Sequence, residues 1–205
     1  TIPFPLPEAD GKLCIASPDA MQDKLNACDV VAPGPSLGRG RETERLVHAL
    51  LRQVKGPLVL DADGLNALAG CAERLCERRG RVTILTPHDG EFARLSGRTL
   101  EELSSKDRAA YACGFAQAHG CIVVLKGHRT LIALPDGTLY RNTSGTSALS
   151  KGGSGDVLTG LIASLLCQGA GAAEAAALGV WLHGRAGELL EEEMTAYCAS
   201  QLALI

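Results

Sequence analysis

The stretch Lys151-Gly152-Gly153-Ser154-Gly155-Asp156-Val157-Leu158-Thr159-Gly160 has the composition of a glycine-rich loop that turns directly into a helix. The small residues 152–155 leave backbone N–H groups uncovered, so a ligand can approach them closely. Apolar residues then recur at helical spacing as far as Leu166, and Gln168-Gly169 is a helix stop signal. Because a helix N-terminus carries unpaired N–H donors and a partial positive charge, the stretch predicts an anion-binding site. No Gly-Lys-Ser/Thr follows at the spacing of a Walker A loop.

Asp156 is unexpected at the mouth of an anion site, because its carboxylate repels a phosphate. One interpretation is a helix N-cap, a position that aspartate favours. The other is a catalytic base, which takes a proton from an acceptor hydroxyl while the helix end stabilises the charge on a phosphoryl group. The stretch by itself leaves both interpretations open.

Composition limits the class of protein. A chain of 205 residues, 46% hydrophobic and 21% charged, predicts one soluble globular domain with a sizeable core. A net charge of -3 and only 3% aromatic residues argue against nucleic-acid binding, which needs a basic or stacking surface. No apolar run suffices to span a bilayer and no signal peptide opens the chain, which predicts a cytoplasmic protein. Eight cysteines without a Cys-x-x-Cys pair predict small buried thiols in a reducing compartment.

Short apolar strands alternate with helices along the chain, which predicts an α/β fold with a mostly parallel sheet covered on both faces. The predicted strands are Asp29–Ala32, Leu58–Leu60, 82–85 and Cys121–Leu125, and the predicted helices include Ala20–Ala27, Glu42–Gln53, Lys106–His119 and Ala172–Glu193. Residues 130–134 and 138–141, joined by Pro135-Asp136-Gly137, predict a small antiparallel hairpin.

Polar residues follow three of these strands, at the ends where α/β folds bind their ligands. Asp61, Asp63 and Asn66 follow the second strand, either as caps of the next helix or as part of a phosphate and magnesium shell. His88 follows the third strand, either as a cap or exposed residue or as a substrate contact. Lys126 follows the fourth, where it either forms a salt bridge or holds a phosphate.

In combination, these motifs resemble the ADP/ATP-dependent NAD(P)H-hydrate dehydratase family, a branch of the ribokinase-like superfamily. The resemblance runs from about Asp29 to the end of the chain, and the Pro-His-x-Gly-Glu motif is its more specific element. It implies a ribokinase-like three-layer α/β/α fold. The matching motifs are Gly34-Pro35-Ser36-Leu37-Gly38, Asp61-Ala-Asp63-Gly-Leu-Asn66, Thr86-Pro87-His88-Asp89-Gly90-Glu91, Lys126-Gly127-His128-Arg129-Thr130 and residues 152–160.

The resemblance also implies a reaction. A nucleotide phosphorylates the hydroxyl of hydrated NADH or NADPH, and phosphate then leaves to restore the cofactor. The implied co-substrate is ADP or ATP, with ADP favoured because the chain looks bacterial, and the implied cofactor is Mg²⁺ without an assigned protein ligand. The resemblance further indicates a homo-oligomer.

The site residues are carried over by matching position. The expected catalytic residue is Asp156. The expected substrate-binding residues are Gly34, Gly38, Asn66, His88 and Asp156. The expected nucleotide-binding residues are Lys126, Gly127, His128, Arg129, Thr130, Gly153, Ser154 and Gly155.

The chain departs from the family pattern in three ways. Ser36 stands where the family usually has a second glycine, and Asp89 replaces a common proline or small residue. The family's opening segment, which contributes a first strand, a glycine-rich stretch and a substrate contact, is expected to be absent from this chain. We therefore expect residues 1–205 to be a single dehydratase-like domain that is N-terminally incomplete.

Two other functions fit the same residues. A kinase for a small hydroxymethyl compound shares the glycine loop and Asp156, but it releases a phosphorylated product. A non-catalytic nucleotide-binding module binds ADP without turnover.

Overall fold

The computed structural model describes residues 5–9, 11–13, 21–104, 107–193 and 199–202, so Ala20 and Lys106, at the ends of two predicted helices, lie outside the described residues. The strands are β1 (Glu8–Ala9), β2 (Lys12–Leu13), β3 (Leu58–Leu60), β4 (Thr83–Leu85), β5 (Ile122–Leu125), β6 (Leu131–Ala133) and β7 (Leu139–Arg141). The α-helices are α1 (Gln22–Ala27), α2 (Arg41–Gln53), α3 (Ala62–Asn66), α4 (Asp89–Ser96), α5 (Leu100–Ser104), α6 (Arg108–His119), α7 (Ser154–Cys167), α8 (Ala172–Glu193) and α9 (Ala199–Leu202). Ala72–Arg78 and Ser147–Leu149 are 3₁₀ helices.

The larger sheet has the strand order β3-β4-β5-β6-β7. Strands β3, β4 and β5 are parallel, whereas β6 and β7 pair antiparallel with their neighbours and form the predicted hairpin. Beyond β3, Val31 makes a single parallel bridge with Leu58. The prediction of a buried strand over Asp29–Ala32 is therefore wrong in length and burial, since Val31 is only half-buried and Pro33, which lacks an N–H, soon follows.

Helices cover both faces of this sheet, which confirms the predicted three-layer architecture. Because successive side chains of a strand point to opposite faces, Leu60 and Val59 belong to two different hydrophobic clusters. The cluster around Leu60 includes Leu50 of α2 and Phe115 of α6. The cluster around Val59 is completed by side chains of α7 and α8, such as Ile162. The glycine-rich loop is thus fixed in place by a helix that packs on the sheet.

A buried arginine links several chain segments by hydrogen bonds at the end of the sheet where β3 and β4 begin. Arg78 is 1% exposed and forms no ion pair within the described part of the chain. Its guanidinium donates to Thr83 Oγ1 and to the carbonyl oxygens of Leu51, Val54, Gly56 and Val82. Burial lowers the pKa of Arg78 to about 10, so the side chain is still a cation at neutral pH.

The cysteines depart from the sequence prediction. Of those in the described residues, which are all free thiols, Cys121 is buried, but Cys28 and Cys167 are exposed. Cys28 directly follows α1 and Cys167 is the last residue of α7. The apolar residues around them in the sequence do not reveal that these helix ends are exposed. None of the described helices combines the length and apolar character needed to cross a membrane.

Candidate active site

The glycine-rich loop leads into α7 as predicted, but the helix begins before Asp156. Gly153, with φ of 86°, is the N-cap residue, and Ser154 is the first helical residue. The N-cap interpretation of Asp156 is therefore wrong. Asp156 is an exposed residue in the first turn, and no hydrogen bond or ion pair within the described residues involves its carboxylate. A carboxylate there is favoured by the helix dipole and remains available to a ligand.

Most of the residues predicted to bind the nucleotide line one cavity of about 570 Å³. Lys126–Thr130 lie on one side of it, and Ser154 and Gly155 lie at the N-terminus of α7. His88 also lines this cavity, whereas Gly153 does not. Further lining residues, which sequence reasoning did not identify, are Asn142, Gly145, Thr146, Ser147, Leu149, Ser150, Lys151, Leu158, Val180, His183 and Gly184.

Lys126 lies directly below the glycine-rich loop. Its Nζ atom is 2.8 Å from Oδ1 of Asp61, which is 1% exposed and also accepts a hydrogen bond of 2.9 Å from Thr159 Oγ1. A Cβ on Gly155 would lie 3.2 Å from Lys126 Nζ. The salt-bridge interpretation of Lys126 is thus confirmed, and the same ammonium group is close enough to the loop to attract an anion held there.

Arg108 compensates the negative charge of Asp89, the residue at which the chain departs from the family pattern. Its Nε atom donates to Asp89 Oδ1 at 2.9 Å, and its Nη2 atom donates to the carbonyl oxygen of Lys126 at 2.8 Å. The Arg108 side chain is only 18% exposed. It therefore connects the start of α4 to the loop that follows β5.

His88 caps helix α4, which confirms one of its two predicted roles. Its Nδ1 atom accepts hydrogen bonds from the backbone N–H groups of Gly90 at 3.0 Å and Glu91 at 3.3 Å. The Glu91 carboxylate accepts from the His88 backbone N–H at 2.9 Å, which completes a capping box. The His88 side chain is 56% exposed beside the cavity, so its contact with substrate stays a prediction.

A second cavity, of about 200 Å³, contains two of the residues predicted to bind substrate. Gly38 and Asn66 line it, together with Arg39, Asp63 and Arg94. The remaining lining residues are Gly40, Thr43, Glu44, Ala67 and Ala69. Of the five predicted substrate residues, Gly38 and Asn66 thus line the second cavity and His88 lines the first, whereas Gly34 and Asp156 line neither.

The proposed phosphate and magnesium shell of Asp61, Asp63 and Asn66 is wrong as a single cluster. Asp61 points toward Lys126, whereas Asp63 Oδ2 accepts from the Gly38 N–H at 3.0 Å. Asp61 is the extended N-cap residue of α3 and Asp63 lies in the first turn of that helix, so the two side chains diverge. The described residues contain no group of three or more histidine, cysteine or acidic side chains that could hold a metal ion.

Gly34 lines neither cavity and has a backbone role instead. Its φ is 156°, and a Cβ there would overlap the backbone of Asp61. The loop can therefore cross the end of β3 only because residue 34 has no side chain. Ser36, which replaces a family glycine, has φ of 60°, so it keeps the left-handed conformation that glycine favours. Contact of Gly34 with substrate stays a prediction.

His183, which no sequence motif singled out, lines the first cavity. Its Nε2 atom is 3.0 Å from both the hydroxyl and the carbonyl oxygen of Ser154. Burial lowers the pKa of His183, so the ring is neutral at pH 7, and its N–H steadies the first turn of α7. No local motif marks this histidine, because it is brought to the loop by the packing of α8 on α7.

The family model described as NAD(P)H-hydrate dehydratase matches residues 3–205. The chain belongs to this family. It is 45% identical, over 90% of its length, to a bifunctional NAD(P)H-hydrate repair enzyme of Thermofilum pendens, of which it spans only 35%. It also resembles a Bacillus subtilis ADP/ATP-dependent NAD(P)H-hydrate dehydratase co-crystallised with ATP and Mg²⁺, with a TM-score of 0.74 and 38% identity over 85% of this chain and 63% of that one.

A ribokinase-like superfamily protein of Enterococcus faecalis gives a TM-score of 0.75 at 24% identity, over 93% of this chain and 65% of that one. This likeness concerns the fold alone and confirms the predicted ribokinase-like architecture. The family resemblance predicted from the motifs is likewise confirmed.

Proposed function

We propose that this chain catalyses the nucleotide-dependent dehydration of hydrated NADH or NADPH, and so acts as a lyase that repairs the cofactor. The observation that carries the proposal is the position of Asp156. Asp156 does not itself line the cavity. Its exposed carboxylate, which pairs with no described residue, belongs to the first turn of α7, and the N-terminus of α7 forms one wall of the cavity with Lys126–Thr130. We treat residues 1–205 as one domain, and the family membership supports the choice of substrate.

The nucleotide binds in the first cavity in this proposal. Its transferring phosphate lies against the N–H group of Gly155 at the N-terminus of α7, since the N–H of Ser154 already donates to the carbonyl oxygen of Lys151 at 3.3 Å. Lys126 supplies positive charge from below, and the backbone of 126–130 lies along the opposite wall. Donors fixed before the reaction stabilise the charge that develops on the phosphoryl group.

Asp156 takes the proton from the ring hydroxyl of the hydrated cofactor. The hydroxyl oxygen then forms a bond to the terminal phosphorus of the nucleotide, while the bond from that phosphorus to its bridging oxygen breaks. In the second stage the ring C–O bond breaks and phosphate leaves with the electron pair. The neighbouring carbon loses a proton, and the ring double bond is restored.

Magnesium fits this site as part of a nucleotide complex. Protein sites for Mg²⁺ often contribute one or two carboxylates while phosphate oxygens and water fill the other positions, and the described residues offer no larger cluster. No carboxylate is among the described residues that line the first cavity, so phosphate oxygens and water would hold the ion there. When bound, the ion neutralises phosphate charge.

The finer choices are also proposals. We propose ADP as the donor because the chain resembles bacterial members, with ATP as the alternative that the Bacillus subtilis relative supports. Either hydrate is a candidate substrate. The homo-oligomeric state and the cytoplasmic location stay predictions.

The substitution Asp156→Ala tests the proposal. We expect the rate of return of reduced-nicotinamide absorbance to fall about 10³-fold, as for loss of a general base, with ADP affinity changed less than about threefold. Glu192→Ala, which removes another exposed carboxylate, is the matched control and leaves the rate unchanged. Turnover that survives in Asp156→Ala contradicts the proposed base.

The wild-type chain separates the alternative functions in the same assay. A phosphorylated product without return of absorbance indicates the small-molecule kinase. Nucleotide binding without any turnover, with ADP and ATP each tested on both hydrates, indicates the non-catalytic module.

A further inference from the structure

Arg94 projects from α4 toward the second cavity and is held by Asn66. Its Nε atom donates to Asn66 Oδ1 at 2.9 Å. Both residues line the cavity together with Gly38. This contact fixes the plane of the guanidinium through one of its five N–H groups.

Both polar atoms of the Asn66 amide are already engaged by neighbouring side chains. Its Oδ1 atom accepts from Arg94, and its Nδ2 atom donates to Asp63 Oδ1 at 3.4 Å. Asp63 also accepts from the Gly38 N–H and from Arg39 Nε. The amide therefore orients the guanidinium of Arg94. The sequence motif had instead predicted that Asn66 itself contacts the substrate.

The outer nitrogens of Arg94 remain available. Within the described residues, Arg94 forms no ion pair, and its only hydrogen bond uses Nε. Nη1 lies 3.7 Å from the position that a Cβ of Gly90 would occupy, and Cε1 of His88 lies 2.9 Å from that same position. The guanidinium thus lies between His88 and Asn66, in a gap that a side chain at residue 90 would fill.

The other charged side chains that line this cavity are Arg39, Asp63 and Glu44. Asp63 is matched by Arg39 and by neutral donors, and Glu44 is the remaining carboxylate. Arg94 therefore presents a cationic fork without a carboxylate partner, and such a fork matches the oxygen atoms of a phosphate.

We infer that Arg94 binds a phosphate group of the hydrated dinucleotide, with Asn66 as the residue that positions it. The inference rests on the proposed function, since it assigns this cavity to the same substrate. A volume of about 200 Å³ accommodates a phosphate and part of its ribose. Both hydrates carry the diphosphate, whereas only NADPH hydrate carries the 2′-phosphate.

Arg94→Gln tests the inference with NADH hydrate and NADPH hydrate as separate substrates. We expect KM for the hydrate to rise about tenfold or more, with KM for ADP unchanged, because a charge-assisted hydrogen bond to substrate is lost. A rise with both hydrates identifies the diphosphate as the ligand group, and a rise with NADPH hydrate alone identifies the 2′-phosphate. Arg94→Lys keeps the positive charge but not the planar guanidinium, and its KM for the hydrate lies between those of the wild type and Arg94→Gln.

Arg98→Gln is the matched control, because Arg98 is also exposed but pairs with Glu102 and lies over the Tyr111 ring, away from the cavity. It leaves both KM values unchanged. Asn66→Ala raises KM for the hydrate less than Arg94→Gln does. The double variant is no worse than Arg94→Gln alone, since the two residues act as one unit.

Equal KM values for the hydrate in the wild type and Arg94→Gln overturn the inference while leaving the proposed function intact. A wild-type chain without turnover contradicts the proposed function instead. Binding of NADH and NADPH, followed by nicotinamide fluorescence, then decides the role of Arg94. A Kd that Arg94→Gln does not raise, or no binding by the wild type, overturns it.

Discussion

Two cations, Arg78 buried and Lys126 half-buried, lie at opposite ends of the central sheet, and they differ in how completely their hydrogen bonds are satisfied. Arg78, where β3 and β4 begin, donates to four backbone carbonyl oxygens and one threonine hydroxyl and is 1% exposed. Lys126, where β5 ends, has one close carboxylate partner, Asp61, and its side chain is 20% exposed toward a cavity.

The difference separates a structural cation from a candidate ligand-binding one. Arg78 has no donor to spare, so it can only hold chain segments together. Lys126 keeps donor capacity on the side of the glycine-rich loop, and the carboxylate below it fixes its position. A buried cation with an unsaturated, cavity-facing head group is therefore the better candidate for ligand binding.

Arg78→Met tests the structural side of this comparison and has the largest expected effect. It removes five hydrogen bonds, although the oxygens of Val54 and Val82 keep a second donor, and we expect the free energy of unfolding to fall by at least about 4 kcal/mol. Urea unfolding followed by circular dichroism measures the loss. Arg74→Met, which breaks only a surface pair with Glu77, should cost less than about 1 kcal/mol. Similar losses for the two variants would show that the Arg78 network is not needed.

Lys126→Met tests whether Lys126 contributes to nucleotide binding. It leaves the Asp61 carboxylate buried without its cation, at a cost of about 3 kcal/mol in unfolding free energy, and we expect ADP affinity to fall about tenfold. Urea unfolding and calorimetric titration with ADP measure the two effects.

The double variant Lys126→Met/Asp61→Asn separates the two roles of Lys126. Removing the buried charge should restore most of the stability, while ADP affinity stays low because the cation is still missing. Recovery of both properties would mean that Lys126 acts on the nucleotide only through the fold.

Gly155→Ala has the smallest expected effect and tests the contact between the glycine-rich loop and Lys126. Its Cβ would lie 3.2 Å from Lys126 Nζ and 3.6 Å from Asp61 Oδ2, so it displaces the ammonium group. We expect KM for ADP to rise about fivefold, while unfolding free energy changes by less than about 1 kcal/mol because alanine is the better helix former. Gly152→Ala, where a Cβ meets nothing within 4 Å, should change neither value, and an equal effect of both substitutions would contradict the assigned contact.

The elements that sequence reasoning predicted best depend on local patterns. The strand Leu58–Leu60, the hairpin around 135–137 and the loop before α7 are each marked by an apolar run or by turn residues. The weaker prediction, a strand over Asp29–Ala32, concerned a segment whose pairing depends on a neighbour distant in sequence.

The sequence by itself determined the order of the elements and the family, and it predicts an anion-binding site at residues 152–160, because glycine spacing and apolar periodicity are local properties of the chain. Only the tertiary structure decided which side chains meet. It paired Lys126 with Asp61, 65 residues away, set Arg108 against Asp89, and turned Asn66 toward Arg94. Hydrogen-bond partners are selected when helices and strands pack, and the direction of each side chain at the end of a strand then depends on the path that its loop takes.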